Sequence, residues 1–316
     1  MKFTHILLPT LPQADTITAI FLLKKYGVKT FPGIDHCEYG ILYETEEGLN
    51  EVDYLKQGKI LIDVGGGIFD HHNKPEKTTA TNLVVNALGL ENEKALEKLV
   101  AYTERDDFYG KGTISNDPLD KAFGLSGLIA ALKKAHPNDP SYIIDCVLPL
   151  LDAHLLREKQ RTEDLPKEFE RLKLEHNFNE TQVTQRRNKL KVCFLESDNT
   201  QMPGFLRAVD GGKFDIVVQR RSTGHVNILT RQLKRPDLRE VARLIRSKEY
   251  EIDMGASYLS SEKFREPGRV NEVGVWYFDP ATDSLQNGGV SPDKVDPTKI
   301  PWDEMKKLVL EGLSTV

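Results

Sequence analysis

The chain has 316 residues, more than one ordinary domain needs, so two domains are expected. Its composition, 39% hydrophobic and 29% charged with a net charge of -5, is that of a globular protein and excludes a generally basic nucleic-acid coat. No stretch is apolar for long enough to span a bilayer, and the start, MKFTHILLPTLPQAD, lacks the apolar core and cleavage site of a signal peptide, so no membrane partner is expected.

Cys37, Cys146 and Cys193 are odd in number and widely spaced, which points to a reducing cytoplasm and against a zinc-thiolate site. In chain order, residues 3–9 read as a strand. Residues 15–26 read as a helix, with Asp15 as N-cap and Gly27 as its end. Residues 28–31 and 40–43 read as further strands, and 51–56 as a short helix leading to the apolar run at 60–62. That run ends in Asp63, followed by Gly65 to Gly67 and then by Asp70, His71 and His72 in a row. Helices are expected over 79–88 and 91–105, the second delivering Asp106 and Asp107 to its terminus. Carboxylates there repel the partial negative end of the helix, which suggests a bound cation as their partner. Helices over 117–135 and 142–163 complete an α/β domain with a parallel sheet, residues 1–163.

Residues 164–180, strongly charged and carrying Pro166, read as the connection to a smaller α+β domain over 181–316. In that domain a strand is expected at 190–195 and a short helix at 202–209. A β-hairpin joins 214–221 to 225–230 across Ser222-Thr223-Gly224. An amphipathic helix at 237–249, a hairpin of 273–278 with 284–287, and a closing helix at 302–313 follow. Between residues 213 and 248 ten basic residues stand against three acidic ones. Arg239, Arg243 and Arg246 recur at helical spacing, so they are expected to share a face that suits phosphate oxygens.

The chemistry converges on residues 59–73, KILIDVGGGIFDHHN. A strand delivers a carboxylate, a loop without side chains follows, and a second carboxylate stands beside two imidazoles. Asp15, Asp63, His71 or His72, and Asp106 or Asp107 would together offer oxygen and nitrogen donors. Such a set suits manganese or magnesium better than a structural zinc. Glycines 65 to 67, Gly66 among them, would let a phosphate or metal approach the backbone closely. Among the remaining histidines, His225 stands out because it follows Gly224 in the hairpin.

Asp70-His71-His72 after a strand, with Asp15 in A-D-x-x-x-A and an aspartate beyond the loop, resembles the DHH phosphoesterase superfamily. The element IDVGGGIFDHH is most similar to its MYG-type exonuclease branch, and VVQRRSTGHVNI resembles the R-S strand of the domain that accompanies the DHH domain and binds substrate. The resemblance implies Asp15, Asp63, His71 and Asp107 as metal ligands, with Asp70 and His72 as catalytic groups. His72 would sit beside the transition state, and Arg221 with Ser222 would address a substrate phosphate. Where the first family motif supplies a histidine and a further ligand, this chain has Pro9 and Gln13, so one or two ions (Mn2+ or Mg2+) are implied. The implied activity is hydrolysis of a phosphodiester, a nucleic-acid end or short oligonucleotide. The alternatives are a catalytically impaired nucleotide- or RNA-binding protein and a small phosphoanhydride or nucleotide phosphatase. A homodimer is compatible with either reading.

Overall fold

A computed structural model describes residues 2–42, 50–110, 112–255, 262–288 and 294–314. The chain divides into two compact units, Met1–Thr162 and Glu163–Val316.

In the first unit, β1 (His5–Leu8) is the central strand of a three-stranded parallel sheet, flanked by β2 (Glu38–Ile41) and β3 (Lys59–Leu61). Alternation along these strands decides which face each side chain joins. Ile6, Leu8, Ile60 and Ile62 pack with α1 (Ala14–Tyr26), whereas Leu7 and Leu61 turn the other way onto Tyr54 of α2 (Glu51–Lys56). Residues 14 to 23 of α1 are all buried, as expected of a helix apolar on most of its circumference. Around it lie α3 (Ala80–Leu88), α4 (Glu97–Tyr109), α5 (Pro118–Phe123), α6 (Leu125–Ala135) and α7 (Pro140–Lys159). The α/β reading of this unit, with its parallel sheet, matches the architecture.

Several local expectations change. Residues 28–31 form no strand: Gly27–Lys29 is a 3-10 turn, and the Thr30 and Phe31 amides bond back to the Gly27 carbonyl. Val28 is exposed and Phe31 stacks edge-on against Phe3 and Phe69, so the segment is held by one aromatic anchor rather than by a neighbouring strand. Gln13, not Asp15, occupies the N-cap of α1. Residues 40 and 41 belong to β2, and residue 43 lies outside the described residues. The helix expected from residue 91 starts at Glu97, after a 3-10 turn, and runs to Tyr109, where Gly110 closes it in the left-handed conformation. Asp106 and Asp107 therefore lie in its last turn. The helix expected over 117–135 breaks at Gly124 into α5 and α6.

The second unit is built on a mixed seven-stranded sheet. Its strands are β4 (Phe178–Gln185), β5 (Asn188–Glu196), β6 (Ile216–Arg220), β7 (Val226–Thr230), β8 (Gly268–Arg269), β9 (Trp276–Asp279) and β10 (Ser284–Asn287), in the order β4-β5-β6-β7-β10-β9-β8. Among the described residues, only β5 and β6 of this sheet run parallel. One sheet face, with Val192, Phe194, Ile216 and Val218, packs on α10 (Arg239–Met254) and α11 (Trp302–Ser314). Cys193, Leu195 and Val217 face the opposite way, onto α8 (Leu165–Leu174) and α9 (Met202–Arg207). Within the expected connection over 164–180, α8 packs into this second core. Leu165 and Leu172 are buried in this second core, and β4 begins at Phe178. Among the described residues, no helix is long and apolar enough to cross a membrane.

Candidate metal centre

The site forms at the carboxyl ends of β1 and β3, the edge at which parallel sheets receive ligands. Ile62 continues the β3 pairing by donating its N–H to the Leu7 carbonyl, 2.9 Å. The chain then turns at Asp63, whose φ of 58° lies in the left-handed region that residues with a β-carbon rarely occupy. The turn is closed by the Asp63 N–H, which donates to the Phe69 carbonyl at 3.0 Å. Gly65 and Gly66 carry the loop through two further left-handed residues.

Asp70 ties this loop to the histidines. Its Oδ2 accepts the Gly66 N–H at 2.7 Å, and its Oδ1 accepts the His72 N–H at 3.1 Å while lying 2.6 Å from His72 Nδ1. Burial works to raise the Asp70 carboxyl, but the hydrogen bonds from His72 and Gly66 outweigh it and hold the group below the usual carboxylate range. Gly66 was expected to leave its backbone open to a phosphate; its N–H is instead engaged by Asp70.

Asp63 is buried, and its two oxygens are treated differently. Oδ2 accepts the Thr16 hydroxyl at 2.6 Å, and that hydroxyl in turn accepts the Gln13 N–H. Oδ1 is buried without any well-directed hydrogen bond, although His71 Nε2 lies 3.1 Å and His72 Nδ1 3.9 Å away. The two imidazoles face each other with centroids 4.5 Å apart. From α4, Asp107 Oδ2 approaches His71 Nδ1 to 3.8 Å. Asp106 points elsewhere, lining a separate cavity with Tyr102 and Lys121. Of the two aspartates left open by sequence, Asp107 is the one at the site.

The electrostatics favour positive charge here. Asp63 as nearest partner, with Asp107 and Asp15 beyond it, holds the His71 imidazolium up to about 9 against the opposing effect of burial. Burial pushes the Asp107 carboxyl above its ordinary range, with Asp63 adding to the rise and His71 opposing it. Asp63, His71 and His72 can each bring one donor atom within 4.8 Å of the others. A buried carboxylate oxygen 3.1 Å from one imidazole and 3.9 Å from another fits a divalent cation with mixed oxygen and nitrogen coordination, taking the place of the His71 proton. The residues present suit the implied ion.

Asp15 lies near enough to act on the charges of Asp63 and His71, and both its oxygens are engaged by backbone amides. Its Oδ2 accepts the Ala80 N–H at 2.7 Å and its Oδ1 the Thr81 N–H at 2.9 Å, which caps the first turn of α3. Burial raises its carboxyl above the ordinary value. Thr16 is the group that sequence reasoning missed. Its only signal was its place next to Asp15 in the first turn of α1.

In the second unit, His225 is buried with both ring nitrogens engaged, Nδ1 at 2.9 Å from Thr223 Oγ1 and Nε2 at 2.8 Å from the Val295 carbonyl. Through these two contacts it fastens the hairpin. The Ser222 N–H donates to Asp198 Oδ1, and Arg221 donates its N–H to the His225 carbonyl, while its Nε has no partner. The expected arginine face of α10 does not form. Arg246 is fully buried and donates to the carbonyls of Phe264, Glu266, Gly268 and Trp276, while Arg239 and Arg243 pair with Asp237 and Glu240.

No protein-family model matches the chain, and no curated protein matches it. Among solved structures it is similar to an uncharacterized protein from Helicobacter pylori G27, over 99% of this chain and 100% of that one. The identity is 12% and the TM-score 0.29, a likeness that carries no functional argument.

Proposed function

We propose that the protein is a metal-dependent phosphoesterase that hydrolyses a phosphodiester, with manganese or magnesium held by Asp63 and His71 and approached by Asp107. The observation that carries this reading is the convergence of the buried Asp63 Oδ1 with the His71 and His72 imidazoles, whose nitrogens lie 3.1 and 3.9 Å from it. The resemblance of D-V-G-G and D-H-H to the DHH phosphoesterases, nearest the MYG-type branch, supports the same chemistry. A divalent ion bound there would polarise a phosphoryl oxygen and lower the pKa of a water molecule. Asp70 accepts from Nδ1 and orients His72, whose Nε2, when it too carries a proton, would donate to a phosphoryl oxygen as charge builds on it. Asp63 is in turn steadied by Thr16, so the metal-facing oxygen keeps its direction. With Pro9 and Gln13 in the first motif and both Asp15 oxygens capping α3, the donors on hand suit one ion better than two. The engaged arginines of α10 favour a short oligonucleotide or a nucleotide over an extended nucleic-acid strand.

The depleted ligand set also favours a second reading, a nucleotide- or RNA-binding protein that no longer turns over. The two separate in one experiment. Purified protein is analysed for bound metal and then assayed with manganese against short oligonucleotides, a generic phosphodiester, pyrophosphate and nucleotides. A bound ion with chelator-sensitive phosphodiester hydrolysis is expected. Tight nucleotide binding without manganese dependence and without hydrolysis would replace it with the second reading.

A further inference from the structure

The seven-stranded sheet of the second unit ends in two edges of opposite character. At one, β8 is only two residues long, and its Gly268 carbonyl is taken by Arg246. At the other, β4 runs for eight residues, FNETQVTQ, with Asn179 to Gln182 and Thr184 exposed. The Glu196 N–H donates to the Asn177 carbonyl at 2.9 Å, and the pairing with β5 runs unbroken from Phe178 opposite Leu195 to Gln185 opposite Asn188. Hydrogen-bonded pairs alternate along an antiparallel ladder, so Asn179, Thr181, Val183 and Gln185 turn their backbone groups to β5. Phe178, Glu180, Gln182 and Thr184 present theirs to the open edge, where no strand among the described residues pairs with them.

A row of unpaired N–H and C=O groups is a template for another strand, and proteins that stay monomeric guard it with lysine, proline, a bulge or brevity. β8 is guarded by its brevity. β4 has none of these guards, and Glu180 is its one charged residue. The charges along the hairpin decide which strand fits. Acid stands at the start of β4, in Glu175 and Glu180, and base at its tip, in Arg186, Arg187 and Lys189, all five exposed. Among the described residues neither Glu180 nor Arg187 has an ion-pair partner. A second copy laid antiparallel about a two-fold axis sets the acidic start of each strand against the basic tip of the other, whereas a parallel strand of the same sequence sets like against like. We propose that the β4 edge is the interface of a homodimer, in which the β4 strands of two copies pair antiparallel and join their sheets into one. Pairing of the outward residues supplies up to about eight main-chain hydrogen bonds, two for each pair. This interface is independent of the phosphoesterase reading.

The test is sedimentation of the full chain over a range of concentrations, joined to amide hydrogen exchange read residue by residue. The wild type sediments at twice the chain mass and dissociates on dilution. In the dimer the Glu180, Gln182 and Thr184 amides exchange slowly and lose that protection on dilution, while Thr181 and Val183, bonded to β5, keep theirs. Gln182→Pro removes an outward N–H, leaves the β5 ladder intact and gives a monomer with the wild-type circular dichroism. Glu180→Arg weakens the dimer by about tenfold or more, through like charges brought together at the tip, and adding Arg187→Glu restores it. The exchange pattern needs no variant to fold. A wild type that is monomeric at every concentration, or a dimer in which the Glu180, Gln182 and Thr184 amides exchange as fast as in the monomer, overturns the proposal. So does a Gln182→Pro variant that dimerises as tightly as the wild type.

Discussion

Asp63 is where the sequence and the chemistry meet, because its side chain is half satisfied. Thr16 takes one oxygen and leaves the other facing His71 and His72. One consequence concerns pH. His71 titrates at about 9 in the ion-free protein, so below that value a metal ion must displace its proton. Manganese affinity should therefore rise with pH, by up to about tenfold per unit, and level off above the His71 value. Titrations at several pH values check this, and a flat affinity through the neutral range would contradict it. Asp70 acts one step back, through His72. Asp70→Asn should lower phosphodiester hydrolysis by about 10- to 100-fold while manganese affinity is kept, the usual effect of removing a group that orients a reacting side chain. Asp15 caps α3 with both oxygens. Asp15→Ala should cost about 1.5–3 kcal/mol, for hydrogen bonds accepted by a charged carboxylate at a buried helix end. Urea denaturation would register it as a lower midpoint with unchanged slope. Lost manganese binding at undiminished stability would return Asp15 to the ligand set.

At the scale of elements, the periodic ones were legible. The apolar runs of β1 and β3 and the apolar stripe of α10 all carry strong local signals. β4 was not read, because FNETQVTQ lies at the sheet edge with most side chains exposed and shows no buried alternation. Charge was the misleading signal in α10. Arg246 stands four residues after Ala242 and one after Ile245, inside the buried stripe rather than opposite it. Burial draws its guanidinium down to about 10, and four carbonyls depend on it. Arg246→Met should therefore destabilise the protein by about 3 kcal/mol or more, through stranded acceptors. Arg239→Ala, at an exposed pair with Asp237, should cost under about 1 kcal/mol. Thermal denaturation of the two variants compares them directly, and equal losses would contradict the distinction.

For the molecule as a whole, the candidate centre is assembled within the first unit. Asp63, His71, His72 and Asp107 all precede residue 162. Residues 59–73 carried the local part of the site in plain view, since the strand end, the glycines and the D-H-H run are contiguous. The partners were harder to see because helix packing brings them from a distance: Thr16 from the first turn of α1 and Asp107 from the last turn of α4. The most direct test of the account is manganese-dependent hydrolysis of a generic phosphodiester by the wild type, Asp63→Ala and His71→Ala. The wild type should hydrolyse it and both variants should be inactive. Hydrolysis at wild-type rates in both variants would contradict the assignment of this centre.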